Sequence, residues 1–469
     1  MARPLGPLHR PALGWSDLAG ARVGLWGLRM EGAANLRRLR RLGIVPIAVD
    51  DHPHAPTFGG LRVLESASGG LEALSTCEVV VKSPGISRHG PQVAELLRAG
   101  VAVAGGLGLW LEEADRARVA CVTGTKGKST TAALAGHLLT GLGHRALVAG
   151  NIGLPPWDPD AGSDWDYWIV EVSSFQATDV ASSPPVVAVT SLAPDHLDWH
   201  GSVEAYYADK LSLCTQRGAD LTIADAASEE LRAHADRLGP RTWWVAEGDP
   251  ELDGTWTDAL GLPGRHSLRD ALVARACLIG LGVPEAADDE RMARAAHGFA
   301  PLAHRFRSLG VVDGVEFVDD SLSTNVLPAL AALEALRAKP IALLVGGQDR
   351  GIDYAPLAVA LAGRDEETFV ASLPAAGPRI GAEVRAAARG IGDRGGRIDV
   401  ADFSDLATAT AAAFMWARPR GGVVLLSPAA PSFGQFRDYR ERADAFVDAM
   451  HACAGASPAQ GSAGTERRR

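Results

Sequence analysis

Val122-Thr123-Gly124-Thr125-Lys126-Gly127-Lys128-Ser129-Thr130 is a glycine-punctuated turn between the apolar run Val119–Val122 and a helix-like segment that opens near Ser129. A strand, a turn with two glycines and two lysines, and a helix in that order form a cradle for nucleotide phosphates. The glycines let successive backbone N–H groups face one concavity. Lys128 brings a positive charge for the β- and γ-phosphates, and the Ser129 hydroxyl offers itself to Mg²⁺ at a helix N-terminus. The general form of this loop has a glycine five residues before Gly127, where this chain has Val122, so the loop is a shorter variant. A capped helix start alone accounts for the serine but not for the lysines and glycines. ATP use is the first expectation.

At 469 residues the chain exceeds one ordinary core, and several domains are expected. A net charge of −10 leaves no basic footprint for nucleic acid or an anionic membrane. Cys77, Cys121, Cys214, Cys277 and Cys453 are far apart, with no CxxC pair, which suits reduced thiols in the cytoplasm and argues against a disulfide frame or a zinc site. Met1–Gly14 has no apolar core of signal-peptide length, and no later window reaches about eighteen uninterrupted apolar residues. A soluble, cytoplasmic protein is expected. Residues 1–20 and 453–469, the latter ending in three arginines, read as disordered.

Upstream of the loop, a strand (Arg22–Trp26), a glycine turn (Gly27, Gly32), a helix (Ala33–Leu42) and a strand (Ile44–Val49) ending in Asp50-Asp51 make a nucleotide-binding βαβ opening. The run Glu78–Val81 leads into Lys82-Ser83-Pro84-Gly85-Ile86, a turn at the carboxyl end of a strand, where open α/β sheets bind ligands. Gly24–Gly32 matches GxGxxG poorly, which leaves a hydride-transferring dehydrogenase as a minor alternative. Downstream, strands Arg118–Thr123, Tyr167–Val172 and Val186–Thr190 alternate with helices as far as about Ala300, and Val315–Val318, Ile341–Val345 and Gly422–Leu426 do so again from about Pro301. Three α/β domains in series, each on a mostly parallel sheet, are the economical reading.

Glu171, at the end of an apolar strand, is placed to ligate Mg²⁺ beside Ser129. His196, in Asp195-His196-Leu197-Asp198, suits a second metal or substrate orientation, although such a histidine alone is more often structural. Nothing in spacing distinguishes Lys210, on a helix, from a surface lysine. Asp319-Asp320-Ser321, Gly346–Asp353 and Ser427–Gly434 each follow a strand, and their glycines and charges suit loops that approach an anionic ligand.

Taken in order, Ser83–Ile86, Thr123–Thr130, Gly150–Gly153, Glu171–Gln176, Asp195–His200, His304-Arg305-Phe306, Asp319–Asn325, Gly346–Asp353 and Leu426–Phe433 resemble the Mur ligase family over nearly the whole chain, from about Ala21 to Ala452. The resemblance implies a Rossmann-like N-terminal domain (21–111) for a uridine nucleotide, a central P-loop ATPase domain (112–300) and a Rossmann-like C-terminal domain (301–452) for an amino acid. It implies an ATP- and Mg²⁺-dependent ligase of peptidoglycan precursor synthesis, a cytoplasmic monomer, that joins glutamate to UDP-N-acetylmuramoyl-L-alanine through an acyl phosphate. Carried over by position, Gly124, Thr125, Lys126, Gly127, Lys128, Ser129, Thr130, Arg305 and Asp320 would contact ATP. Lys128, His196 and Lys210 would be catalytic. Ser129, Glu171, His196 and Lys210 would hold Mg²⁺, the lysine as a carbamate. Ser83, Gly85 and Asn151 would contact the muramoyl substrate, and Thr324, Arg350, Ser432 and Tyr439 would line the glutamate pocket.

The chain departs from the family pattern in places. Lys126 stands where the family has asparagine. Ser267 and Asp270 stand where two asparagines contact adenine. Leu322 and Arg350 replace two lysines of the D-glutamate-adding branch. An arginine fork binds carboxylates bidentately where lysine is a point charge, so the pocket is expected to differ, in favour of the L-glutamate-adding branch. The D-glutamate enzyme is the first alternative. A folylpolyglutamate synthase-like ligase and a non-enzymatic nucleotide-binding regulator are remoter ones.

Overall fold

The computed structural model describes residues 10–53, 55–252, 254–262, 264–300, 303–349, 351–390, 397–432 and 434–455. They form three six-stranded sheets flanked by helices. The first has the spatial order Thr57–Phe58, Leu61–Glu65, Ile47–Asp50, Val23–Trp26, Val79–Lys82, Ala102–Gly105, parallel apart from the edge hairpin. The second, wholly parallel, runs Thr242–Val245, Leu221–Asp225, Val186–Val189, Val119–Thr123, Tyr167–Glu171, Ala146–Gly150. Its central strands are apolar and buried along their whole length because helices cover both faces. The third runs Arg307–Val312, Val315–Asp319, Val423–Leu426, Ile341–Gly347, Thr368–Ala375, Ile398–Asp402, with only the first pair antiparallel.

In the first two sheets, Val23–Trp26 and Val119–Thr123 each have the strands that follow them in the chain on opposite sides. Their carboxyl ends are therefore topological switch points, where a crevice opens. The glycine turn after Trp26 and the phosphate loop after Thr123 sit at those two points.

Two compact units divide the chain, residues 1–299 and 300–469. Within the first, one apolar core joins Val23, Val79 and Val81 of the first sheet to Val119, Val170 and Val187 of the second. Residues 10–20, expected to be disordered, are folded. Trp15 and Leu18 are fully buried in this core, the Trp15 ring lies 6.4 Å from that of Trp157, and Arg10 Nε donates to the Thr178 carbonyl at 2.9 Å. An aromatic and a leucine in a proline-rich lead-in supply the apolar area that anchors it. At the other end the helix Tyr439–Gly455 buries Cys453 against the second unit, and residues 456–469 lie outside the described residues. All five cysteines are buried and free.

Candidate active site

The phosphate loop joins Val119–Thr123 to the helix Lys128–Gly141. Gly127 has φ +88°, and a Cβ there would stand 2.5 Å from Asp270 Oδ1 and 3.1 Å from Thr190 Cβ, so only glycine closes the turn. The next strand's end holds the loop from below. Thr125 N–H donates to the Ser191 carbonyl at 2.9 Å and Lys126 N–H to Ser191 Oγ at 2.8 Å. The Thr125 hydroxyl lies 3.0 Å from Tyr206 Oη. Lys128 Nζ folds back onto the Thr125 carbonyl at 3.1 Å, and Ser129 is buried at the helix start.

Lys210 proves to be a buried residue, not a surface one. Its Nζ donates to the Gly124 carbonyl at 2.8 Å, beside the Tyr206 ring. Burial, reinforced by Lys128 and Lys126 and opposed by Asp195 and Glu171, pushes the amine well below the usual lysine range. An ordinary lysine is neutral to only about one part in 10³ near pH 7. Here burial shifts that balance toward the neutral amine. Glu171, also buried, accepts from Asn151 Nδ2 at 2.9 Å through Oε1, while its Oε2 has no partner among the described residues. His196 takes a left-handed backbone (φ +51°) at the start of Leu197–His200, a strained conformation for a non-glycine residue. Its ring packs against Phe175 at 4.9 Å. Against their burial, Lys126, His196 and Lys128 hold the Asp195 carboxylate below its usual range.

Ser83, Gly85 and Asn151, sixty-odd residues apart in sequence, line one cavity of about 470 Å³ together with Glu31, Asp50 and Asp51. Asn151 connects this cavity to Glu171. Below it, Asp179 takes Lys82 Nζ at 2.6 Å and Arg88 Nε at 2.7 Å, a buried charge cluster that ties the end of Val79–Lys82 to the second sheet.

The second unit carries Arg305, Asp320, Thr324, Ser432 and Tyr439; Arg350 lies outside the described residues. Asp320 is buried, accepting from Ser427 Oγ at 2.7 Å and from Phe306 N–H at 3.2 Å. Burial lifts its carboxyl to about 7 in spite of those donors and of Arg305. His304 Nδ1 donates to Asp319 Oδ2 at 2.7 Å, and its ring meets that of Tyr439 edge-on at 5.7 Å. Arg442, fully buried, spans the three loops that follow strands of this sheet. Its NH2 donates to the Ser321 carbonyl at 2.7 Å, and its NH1 donates to the Ala430 carbonyl at 3.0 Å and reaches the Gly346 carbonyl at 3.5 Å.

The sequence matches the Mur ligase middle domain over residues 122–278 and the Mur ligase glutamate ligase domain over residues 304–430. It is 39% identical to a UDP-N-acetylmuramoyl-L-alanine--L-glutamate ligase of Micromonospora sp., covering 94% of this chain and 98% of that protein. The chain belongs to the Mur ligase family. A ligase of the same description from Xanthomonas euvesicatoria is 38% identical over 92% of this chain and 95% of its own length. The fold is shared with UDP-N-acetylmuramate-alanine ligase MurC of Thermotoga maritima, at 18% identity and a TM-score of 0.55 over 92% of this chain and 99% of that one.

As a Mur ligase, the chain has donors that suit a hard cation. The buried Glu171 Oε2, without a partner among the described residues, and the Ser129 hydroxyl would supply oxygen ligands next to the phosphate loop. Several residues of this site escaped the sequence. His200 is buried and bridges Ser174 Oγ (2.9 Å) and Asp209 Oδ2 (2.7 Å), and His89 meets the same carboxylate oxygen at 2.7 Å. His200 sits four residues after His196, but its partners come from remote segments that no spacing links. Asp270, questioned above as an adenine contact, accepts from Thr131 Oγ1 at 3.2 Å and packs on Gly127.

Proposed function

We propose that this chain is an ATP-dependent ligase that adds L-glutamate to UDP-N-acetylmuramoyl-L-alanine, working in the cytoplasm on peptidoglycan precursors. The observation that carries this reading is Lys210, a buried amine on the Gly124 carbonyl that shares the floor of the phosphate loop with Glu171 and Lys128. A binding protein that only held ATP has no use for a depressed amine there. In the reaction, a carboxylate oxygen of the alanyl substrate attacks the γ-phosphorus of ATP, ADP leaves, and an acyl phosphate forms. The amine of glutamate then attacks the carbonyl carbon, and the tetrahedral adduct expels inorganic phosphate to leave the amide.

The residues divide the work. Gly124 to Thr130 cradle the phosphates with backbone N–H groups, and Lys128 meets the charge of the transferred group. Ser129, Glu171, His196 and Lys210 would hold Mg²⁺, and as a carbamate Lys210 would offer oxygens in place of a cation. The chemistry Mg²⁺ supplies when bound is neutralisation of charge on the phosphates. Ser83, Gly85 and Asn151 hold the muramoyl substrate with its carboxylate toward Glu171's strand. Arg305 and Asp320 contact ATP, and Thr324, Arg350, Ser432 and Tyr439 receive glutamate. Domains at 21–111, 112–300 and 301–452 are assigned to uridine nucleotide, ATP and amino acid respectively. L-Glutamate is favoured by the changed cations at Leu322 and Arg350 and by the description of the relatives at 36–39% identity. Among the described residues no helix is long and apolar enough to cross a membrane.

The test is phosphate release from ATP and Mg²⁺ with UDP-N-acetylmuramoyl-L-alanine and enantiopure L- or D-glutamate. Selective turnover with L-glutamate is expected. Selective turnover with D-glutamate would refute the stereochemical assignment, and release with neither would refute the ligase.

A further inference from the structure

The cavity between the first two sheets is lined by three carboxyl groups, Glu31, Asp50 and Asp51, against one guanidinium, Arg29. A nucleotide diphosphate entering it meets like charge, which costs affinity unless each carboxyl is occupied or neutral. Two of them are occupied. Asp50 accepts from Leu28 N–H at 2.8 Å and from His52 N–H at 2.9 Å. Asp51 accepts from Trp26 Nε1 at 2.9 Å and from the Ser66 hydroxyl.

Glu31 differs. It stands in the first turn of the helix Met30–Arg41, straight after the glycine turn at the switch point, where a phosphate is ordinarily received. Among the described residues only Gln176 donates to it, from Nε2 to Oε1. The orientation of that amide is fixed, because Gln176 Oε1 is taken by the Ser173 N–H at 2.9 Å in a capping box two residues beyond Glu171. The second oxygen of Glu31 is left for the cavity.

We propose that Glu31 recognises the substrate as a neutral carboxylic acid, with Oε1 accepting from Gln176 and the protonated second oxygen donating to a diphosphate oxygen of the nucleotide-linked substrate. This rests on the uridine-nucleotide reading above and specifies how the anion is received. The surroundings agree. Burial lifts this carboxyl to about 7 against the donation from Gln176, although a helix N-terminus normally favours the anion. The charged groups facing it are Asp179 and Lys82 from beneath, mutually paired at 2.6 Å, and Arg29, Asp50 and Asp51 around the cavity. Through Gln176 the same carboxyl connects the nucleotide site to the segment that follows Glu171.

The experiment is calorimetric binding of UDP-N-acetylmuramoyl-L-alanine without ATP, from pH 6.5 to 8.5, to the wild-type protein and to Glu31→Gln. The diphosphate of this ligand is a diester, its carboxylate is already ionised and its uracil imide titrates above that range, so the ligand's charge is nearly constant across it. If only the protonated form binds, the wild-type Kd rises roughly 25-fold across those two pH units, because the competent fraction falls by that factor. Binding at pH 8.5 takes up close to one proton, seen as a dependence of the measured heat on the buffer's ionisation enthalpy. Glu31→Gln keeps a donor at the site and cannot ionise, so its Kd is flat and it takes up no proton. A wild type that binds with a flat Kd and no proton uptake overturns the proposal while sparing the nucleotide reading, and needs no variant to do so. A Glu31→Gln protein that retains the wild-type slope overturns it as well. Absence of binding by the wild type at every pH overturns both together.

Discussion

Replacing Arg442 by methionine tests whether a buried charge is kept for stability or for the shape of the amino-acid site. The guanidinium pairs with no carboxylate among the described residues, and burial pulls it below its usual range, to about 10, in spite of Asp319 and Asp320 nearby. That drop corresponds to about 3 kcal/mol of cost to the charged form. Against it stand two well-formed hydrogen bonds, to the Ser321 and Ala430 carbonyls, while the one to Gly346 is marginal. Bonds to a charged group contribute roughly 1.5–3 kcal/mol each, or about 3–6 kcal/mol for the pair. Gain and cost nearly cancel, so Arg442→Met is expected to lower the stability of the second unit by only about 0–3 kcal/mol in urea unfolding. The segments it leaves untied are the loops Ser321–Asn325 and Ala430–Ser432, which carry Thr324 and Ser432, and the strand end Gly346-Gly347. On the proposed reading the KM for glutamate then rises at least tenfold, about 1.4 kcal/mol of lost positioning, while the KM for UDP-N-acetylmuramoyl-L-alanine stays within about twofold. Arg442→Lys returns the charge without the fork and is expected to recover stability better than glutamate affinity. An Arg442→Met protein destabilised by more than about 5 kcal/mol, or one with both KM values shifted equally, would refute the reasoning.

Three further outcomes follow from the same structure. Gly127→Ala combines a left-handed backbone with a clash at Asp270 and Thr190, and is expected to abolish ATP binding in nucleotide titrations while the UDP-substrate cavity still binds; unimpaired ATP affinity would contradict the loop's role. Asp320, lifted from 3.8 to about 7 in the folded state, contributes stability that is complete below its unfolded pKa and is lost as pH rises through 7, at most about 4 kcal/mol. Asp320→Asn should flatten that part of the second unit's pH–stability curve between pH 4 and 7, and an unchanged slope would count against it. Lys210→Met should eliminate turnover while leaving the protein at least as stable as wild type at pH 7, because a buried amine is exchanged for an apolar chain; retained phosphate release would remove Lys210 from the mechanism.

The strands and the two switch-point loops were legible because they rest on local patterns, namely apolar runs ended by glycine or by polar residues. Val119–Thr123, Tyr167–Glu171 and Val186–Val189 fall within a residue of where those runs place them. The phosphate loop was legible for the same reason. What stayed hidden depends on distant partners. Lys210 looks like any helical lysine until the fold brings Gly124 over it, and His200 gains meaning only from Ser174, Asp209 and His89. Trp15 was lost in a proline-rich start whose composition resembles a tail, since composition does not record that Trp157 waits for it. Glu31 falls inside the glycine turn, before the expected helix start at Ala33, and only the cavity and Gln176 set it apart.

The buried cations sort by what neutralises them, and the sorting separates scaffold from site. Lys82 and Arg88 share Asp179, and Arg275 reaches Asp289 at 2.7 Å while holding the Ala286 and Leu252 carbonyls. Each of these has its counter-charge, which offsets part of the cost of burial, although burial still pulls the Lys82 amine below its usual range, and the group serves as a tie between segments. Lys210 and Arg442 donate only to carbonyl oxygens, Lys210 beside the Tyr206 ring, and burial pulls both down in pKa without an ion pair to oppose it. A charge kept in that state is retained against a standing penalty, which selection tolerates where function requires the group. The two use it differently. Lysine can answer the penalty by shedding its proton, which suits a position beneath the phosphate loop where the proposed carbamate would form. Arginine remains charged and can answer only by donating in several directions at once, which suits a position where three loops must be held in register.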